Sequence, residues 1–281
     1  MVRMGRRRLG TKAVEWSIER PEKDRGSRPA PGRRPRDHAM ISSPQPASDC
    51  ALLPDSVRKQ TYVIIAAYNE ASAIEGVARG VLEYVDHVVV VDDGSRDATF
   101  EAAGRVTPHV LRHAINRGQG AALQTGIDYA LRRGAEYLVT FDADGQHQAE
   151  DLPAMIGPIA AGECDITLGS RFLGEAENVP MTRRWMLRLG VVFTWLTSGK
   201  RLTDTHNGFR AFSRRAAERI HITLDGMAHA SELLDQVASS GLPFREVPVR
   251  IRYTEYSLAK GQSSRGALRI VMQYLLGRVI R

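Results

Sequence analysis

Apolar residues follow two rhythms through the middle of this chain. Short uninterrupted runs, TYVIIAA (Thr61 to Ala67), His87 to Val91, Tyr137 to Phe141 and Cys164 to Leu168, have the length and composition of buried strands. Val110 to His113 is a shorter run of the same kind. Between these runs the spacing turns helical. Ile74, Val77, Ala78, Val81, Leu82 and Val85 share one face of a helix predicted from Ala71 to Val85. Ser95 or Asp97 caps a second helix that ends near Arg105. Helices from Ala121 to Arg132 and from Ala149 to Ala161 follow. Strand and helix alternate at the spacing of βαβ units, which predicts an α/β domain with a mostly parallel central sheet flanked by helices.

Beyond Gly169-Ser170-Arg171 the pattern is less regular. Met181 to Ser198 reads as an apolar helix carrying Trp185, Phe193 and Trp195 beside Arg183, Arg184 and Arg188. Leu202 to Asn207 leads into Gly208-Phe209-Arg210. A helix is predicted over residues 228–240 and a strand over EVPVRIRY, Glu246 to Tyr253. Leu268, Val271, Leu275 and Val279 share a face of a last helix, with Arg265, Arg269, Arg278 and Arg281 elsewhere on it. Residues up to about Pro54 are rich in Arg, Pro, Gly and Ser and lack periodicity, so they cannot bury enough surface to offset ordering. The expected layout is a disordered basic leader (1–59), a catalytic domain (60–255) and a C-terminal amphipathic helix (256–281). Met40 is an alternative start that would leave residues 1–39 outside the protein.

Charge changes the picture only by its placement. The net +7 of the 281 residues comes entirely from residues 1–39, with 12 Lys or Arg against 5 Asp or Glu; the other 27 basic and 27 acidic residues cancel. The body is formally neutral and carries no electrostatic footprint for nucleic acid. Cys50 and Cys164 stand in no metal-ligand spacing and form no disulfide framework, so a reducing, cytoplasmic setting is expected. No run reaches the ~18–20 apolar residues of a membrane span. The basic N-terminus lacks the apolar core of a secretory signal.

Three predicted strands end in polar clusters: Tyr68-Asn69-Glu70, Asp92-Asp93 and Asp142-Ala143-Asp144. In a parallel sheet these ends share one edge, the edge where open α/β sheets bind ligands. Carboxylates and an amide can bond a base and ribose hydroxyls. Two acids one residue apart repel each other unless a cation lies between them, and hard oxygen ligands favour Mg²⁺ or Mn²⁺ with a substrate phosphate. Each cluster alone would pass for a solvated turn.

The segments IIAAYNE, VVVDDGSRDAT, NRGQGAAL, FDADGQH, LGSRF, DTHNGFRAF and EVPVRIRY, in that order, resemble glycosyltransferase family 2. Within it they are most similar to the branch of dolichyl- and polyprenyl-phosphate sugar synthases. The resemblance covers about two-thirds of the chain. It implies a GT-A fold, a UDP- or GDP-sugar donor, Mg²⁺ or Mn²⁺, and inversion at the sugar carbon. It assigns Tyr68, Asn69, Glu70, Asp92, Asp93 and Gly120 to the nucleotide side, with Asp93 facing ribose or base and Glu70 the ribose. It assigns Asp142, Asp144 and Gln146 to metal and diphosphate, and Arg171 to the phosphates of donor and acceptor. Arg184, Arg188 and Arg210 complete the set, the first two toward a lipid phosphate. Asn207 stands where those synthases usually carry Ser.

A phosphate acceptor is already ionised and needs cations; a glycan hydroxyl, the alternative acceptor, needs a general base. Glu232 is the candidate base, ahead of His229 and Asp235, and a plain helix position is the competing reading. Gly118-Gln119-Gly120 has Leu123 where a dinucleotide fingerprint has its third glycine, so a tight turn into a helix is expected there. His147 reads equally as a metal ligand or a loop residue. The Trp-bearing and last helices suit peripheral contact with the membrane surface. A nucleotidyltransferase would carry a Gly-rich basic loop where Tyr68-Asn69-Glu70 stands, and an inactive nucleotide sensor would not need Asp142 and Asp144.

Overall fold

Seven strands form the central sheet in the order β3-β2-β1-β4-β7-β5-β8. The computed structural model describes residues 52–174, 176–177, 202–204 and 207–252. All of these lie in one compact unit, Pro44–Arg281. The strands are β1 (Thr61–Ala67), β2 (His87–Asp92), β3 (Val110–Arg112), β4 (Tyr137–Asp142), β5 (Ile166–Ser170), β7 (Arg210–Ser213) and β8 (Phe244–Pro248). β6 (Ala176–Glu177) and β9 (Ile251–Arg252) pair as a separate two-stranded ribbon. Helices α1 (Asp55–Gln60), α2 (Ile74–Leu82), α3 (Thr99–Gly104), α4 (Gln119–Arg132), α5 (Leu152–Ala160), α6 (Arg214–Ala217) and α7 (His229–Ser239) complete the described elements.

Strand alternation sorts the core into two layers. Val63, Ile65, Val88, Val90, Val139 and Phe141 pack on the α2 and α5 side. Tyr62, Ile64, Val89, Val91, Leu138 and Phe212 pack on the α4 and α7 side. Strands buried on both faces read as continuous apolar runs, and that is how the sequence writes β1, β2 and β4.

The structure departs from the sequence expectation at three places. First, β7 was not expected. It lies antiparallel between β4 and β5, with Val139 opposite Ala211 and Thr167 opposite Ala211. The other six strands run one way, so the C-terminal ends of β1, β2, β4 and β5 still share an edge with the start of β7. Second, of the expected strand 246–253, residues 246–252 do not form one strand. Val249 N turns to Ser170 O (3.1 Å) and Arg250 N to Asp151 Oδ2 (2.7 Å), which breaks the run between β8 and β9. Third, α1 occupies part of the expected leader: Leu53 is buried, and Thr61 Oγ1 donates to Val57 O (2.7 Å). The expected helices at 181–198 and 256–281, and with them Arg184 and Arg188, lie outside the described residues. Among the described residues no helix is long and apolar enough to cross a membrane.

Candidate active site

The site grows from the loops that leave β1, β2 and β4. Asn69 adopts a positive φ of 54°, a region Asn tolerates better than most residues. Its N–H donates to Ser95 Oγ (2.9 Å) and its Oδ1 accepts from Arg96 N (2.9 Å). Glu70 N donates to Thr99 Oγ1 (2.8 Å). These bonds fasten the loop after β1 to the loop after β2. Tyr68 remains 40% exposed, beside buried Glu70.

Asp92 and Asp93 are both buried and turn inward to the protein. Asp92 Oδ1 accepts from Ser95 N (3.0 Å). Its Oδ2 lies 3.1 Å from Arg112 Nε but out of line, and it makes no hydrogen bond among the described residues. Asp93 accepts from Arg117 N (2.9 Å) and Gly118 N (2.7 Å), and pairs with His113 Nδ1 (2.7 Å). Its carboxylate therefore shapes the loop that opens α4. Gly118 has φ 107° and lies against the backbone of Asp225 and Gly226, where no side chain fits. Gly120 N donates to Asp225 O (2.7 Å), so this glycine seats the loop before α7. That is the tight turn expected in place of a dinucleotide fingerprint.

Asp142 ends β4 at the centre of the edge. Gln119 Nε2 donates to its Oδ1 (3.0 Å), and His147 Nε2 lies 2.9 Å from its Oδ2. Gly208 passes against the same carboxylate so closely that a Cβ there would stand 2.6 Å from Oδ1. Burial pushes the Asp142 carboxyl up, but the bond to His147 and the charge of Arg210 hold it below its ordinary value. Asp144 goes the other way. Burial first, then the charge of Asp142, raises it, against the N–H of Gln146. Gln146 N and Nε2 donate to Asp144 Oδ1 (3.0 Å) and Oδ2 (2.7 Å).

His147 is buried between the rings of Phe141 and Phe209, and its Nδ1 has no partner among the described residues. Its Nε2 makes it a partner to Asp142, a place that neither of its two readings named. Arg210, at the start of β7, is buried beneath the site. Burial lowers it to about 10, while Asp142 and Asp204 oppose the shift, so it is a cation at neutral pH. His229, at the start of α7, is brought down to about 4 by burial and by Arg210, and is neutral.

Arg171 follows β5 on the same edge and is 7% exposed. Its Nε and N–H both donate to Asp204 Oδ2, at 2.6 and 3.1 Å. Glu232 does not stand as an open base. It is 4% exposed, and its carboxylate accepts from Thr223 N (3.0 Å), Thr223 Oγ1 (2.5 Å) and Leu224 N (2.8 Å). It braces the loop against which Gly118 and Gly120 pack. Sequence reasoning gave no role to Gln119, Asp204 or Glu246. The last two lie within DTHNGFRAF and EVPVRIRY, whose acids look like ordinary loop and edge residues until their partners are seen.

Among the described residues no three His, Cys, Asp or Glu side chains form a metal cluster. Asp142 and Asp144 are two neighbouring carboxylates at one strand end. Such a pair fits Mg²⁺ or Mn²⁺, ions that take one or two carboxylates and complete their shell with water and phosphate.

A mostly parallel sheet with this acid-lined edge defines a glycosyltransferase domain of the GT-A kind. Structures of glucosyl-3-phosphoglycerate synthase from Mycobacterium tuberculosis share the fold. One with Mn²⁺, uridine diphosphate and phosphoglyceric acid aligns with a TM-score of 0.59 at 17% identity, over 78% of this chain and 80% of that one. Another, with Mn²⁺ and UDP-glucose, gives 0.60 at 18% identity, over 80% and 81%. The chain belongs to the family "Glycosyl transferase family 2", whose model matches residues 62–221. It is 33% identical to a UDP-N-acetylglucosamine–dolichyl-phosphate N-acetylglucosaminyltransferase of Methanococcus voltae, over 78% of this chain and 96% of that protein. It is 30% identical to a polyprenol monophosphomannose synthase of Mycolicibacterium smegmatis, over 81% and 92%.

Proposed function

We propose that this glycosyltransferase moves a sugar from a UDP- or GDP-sugar to a polyprenyl phosphate by a single inverting displacement. The observation that carries the reading is the pairing of Asp142 and Asp144 at the end of β4 with buried Arg210 beside them. Asp142, Asp144 and Gln146 would hold Mg²⁺ or Mn²⁺ on the donor diphosphate. When bound, the ion neutralises charge that builds on the leaving nucleoside diphosphate. Tyr68 is exposed enough to stack on a base, and Glu70 beside it suits a ribose hydroxyl. Asp92 and Asp93 act on the donor side by fixing the loops around it, since Asp93 spends its oxygens on the loop before α4.

A phosphate acceptor attacks without giving up a proton, so the site needs cations to receive it. Arg171 and Arg210 supply two on the same edge, and Arg184 and Arg188 are proposed to add to them. The commitment of Glu232 to Thr223 and Leu224 favours this acceptor over a glycan hydroxyl, which would need a base. The names of the two relatives above agree with a lipid phosphate. Contact with the membrane would be peripheral, at its cytoplasmic face.

The test offers UDP- and GDP-sugars to the full chain with Mn²⁺ or Mg²⁺, with and without a short polyprenyl phosphate. Sugar on the lipid, formed only with metal and lost in Asp144→Asn, is expected. Unchanged turnover in Asp144→Asn would sink the metal assignment. Transfer to a glycan with none to the lipid would sink the acceptor.

A further inference from the structure

Two acids far along the chain from the donor site converge on Arg171. Thr203 and Asp204 sit between residues outside the described set, yet both are tied firmly to the sheet. Glu246, on β8, accepts from Thr203 N at 2.8 and 3.0 Å, from Thr203 Oγ1 at 2.8 Å and from Asp204 N at 3.2 Å. Thr203 Oγ1 also lies 2.6 Å from Ser170 Oγ, at the end of β5. Asp204 then takes both the Nε and the backbone N–H of Arg171 on one oxygen, at 2.6 and 3.1 Å. Arg171 and Asp204 are 7% and 3% exposed.

A buried ion pair is poor evidence for stability, because desolvation offsets most of its attraction. Its better-attested use is to fix geometry. The guanidinium is a planar fork, and holding it at Nε as well as at the backbone sets the plane of the whole group. The holder is itself held, since Glu246 fixes the backbone of Asp204 rather than its side chain.

We propose that Asp204 is a positioning residue that aims Arg171 at the anionic group of the acceptor, with Glu246 bracing Asp204 in turn. This rests on the reading of Arg171 as an acceptor-side cation. Nothing in the chemistry requires the acceptor to be lipid: any phosphate met by a correctly oriented fork gains from it.

The experiment is a double-mutant cycle with Asp204→Asn and Arg171→Gln, read as KM for a short polyprenyl phosphate and as Kd for inorganic phosphate. Asp204→Asn is expected to weaken both at least tenfold while leaving KM for the donor within twofold. In the Arg171→Gln background the same change is expected to cost less than twofold, because the group it aims is gone. Glu246→Gln should give a smaller loss of the same kind, also absent without Arg171. A loss that is equal in both backgrounds, or that falls on the donor KM, would mean a structural clip and overturn the proposal. So would a wild type that binds neither anion. A wild type that binds inorganic phosphate but transfers nothing to lipid overturns only the lipid acceptor, and the cycle on phosphate still decides the role of Asp204.

Discussion

Gly208→Ala tests whether the Asp142 carboxylate must sit where it does. A Cβ on Gly208 would stand 2.6 Å from Asp142 Oδ1 and 2.7 Å from Cγ, whereas ordinary contact begins at 3.4 Å. Oδ2 would lie closer still, so something must give by more than about 0.8 Å, the difference between 3.4 and 2.6 Å. The backbone of Gly208 cannot simply retreat, since its carbonyl accepts from Thr140 Oγ1 (2.7 Å) and Phe209 beyond it is buried. The carboxylate therefore moves, against its bonds to Gln119 at 3.0 Å and His147 at 2.9 Å. Overpacking of this kind costs about 1–3 kcal/mol, and a misplacement near 1 Å at a reacting centre costs on the order of 10²-fold in rate. The assay is sugar transfer alongside Mn²⁺ affinity and a melting curve. Gly80→Ala is the control: this glycine lies inside α2 with nothing near its missing Cβ, so it should gain about 0.5–1 kcal/mol and keep full activity. A Gly208→Ala enzyme with wild-type rate and unchanged Mn²⁺ affinity would refute the claim that this contact positions Asp142.

Glu232→Gln removes the charge from three hydrogen-bonded contacts, and a loss of about 1–3 kcal/mol is expected in chemical denaturation. The pH–rate profile should keep its acid-side limb; loss of that limb would restore Glu232 as a base, since a general base works only when deprotonated. His229 falls from 6.5 to about 4 on folding, so the unfolded chain binds the extra proton. Stability should therefore drop as pH is lowered from 6.5 toward 4, by on the order of 3 kcal/mol from this group, and His229→Gln should flatten that slope in urea titrations at stepped pH. Gly126→Ala would drive a methyl into Ile64 Cγ2, with Val91 Cγ2 at 3.3 Å behind it. It should lower stability by about 1–3 kcal/mol while leaving the KM of both substrates unchanged.

The half of the fold proposed to bind the donor was legible because its signals are local. β1, β2 and β4 are unbroken apolar runs, and each ends on the polar residues that line the edge. β7 was hidden by its brevity: Arg-Ala-Phe-Ser is four residues, opens on a buried cation and has no alternation to read. Residues 246–253 misled for the opposite reason. The run looks continuous, and only the tertiary pull of Asp151 on Arg250 divides it. In the site, residue types and spacing picked out Asp142 and Asp144, but not how their environments differ. Asp142 is held down by His147 and by Arg210 from a separate segment, whereas burial and the charge of Asp142 raise Asp144. Glu232 shows the limit most plainly. An acid in the first turn of a helix near a site looks the same in sequence whether it faces substrate or caps the preceding loop.

The strand that runs against its neighbours also sets an order of assembly. β1 to β4 are complete once residue 142 has been made, but β4 and β5 never touch through their ladders. The place between them stays open until residues 210–213 arrive. A ribosome adding about 5–20 residues per second leaves that seam open for several seconds, with the edge of β4 bare to any other strand. The strands β1 to β4 can thus be shaped before β5, β7 and β8 exist. Closing the seam delivers Arg210 beneath Asp142, so a pairing that forms only after β1 to β4 are in place brings the charge to that edge, and in chain order only β8 joins the sheet later. Pulse-labelled hydrogen exchange should find β4 protected on its β1 side before its β7 side; simultaneous protection would contradict this order.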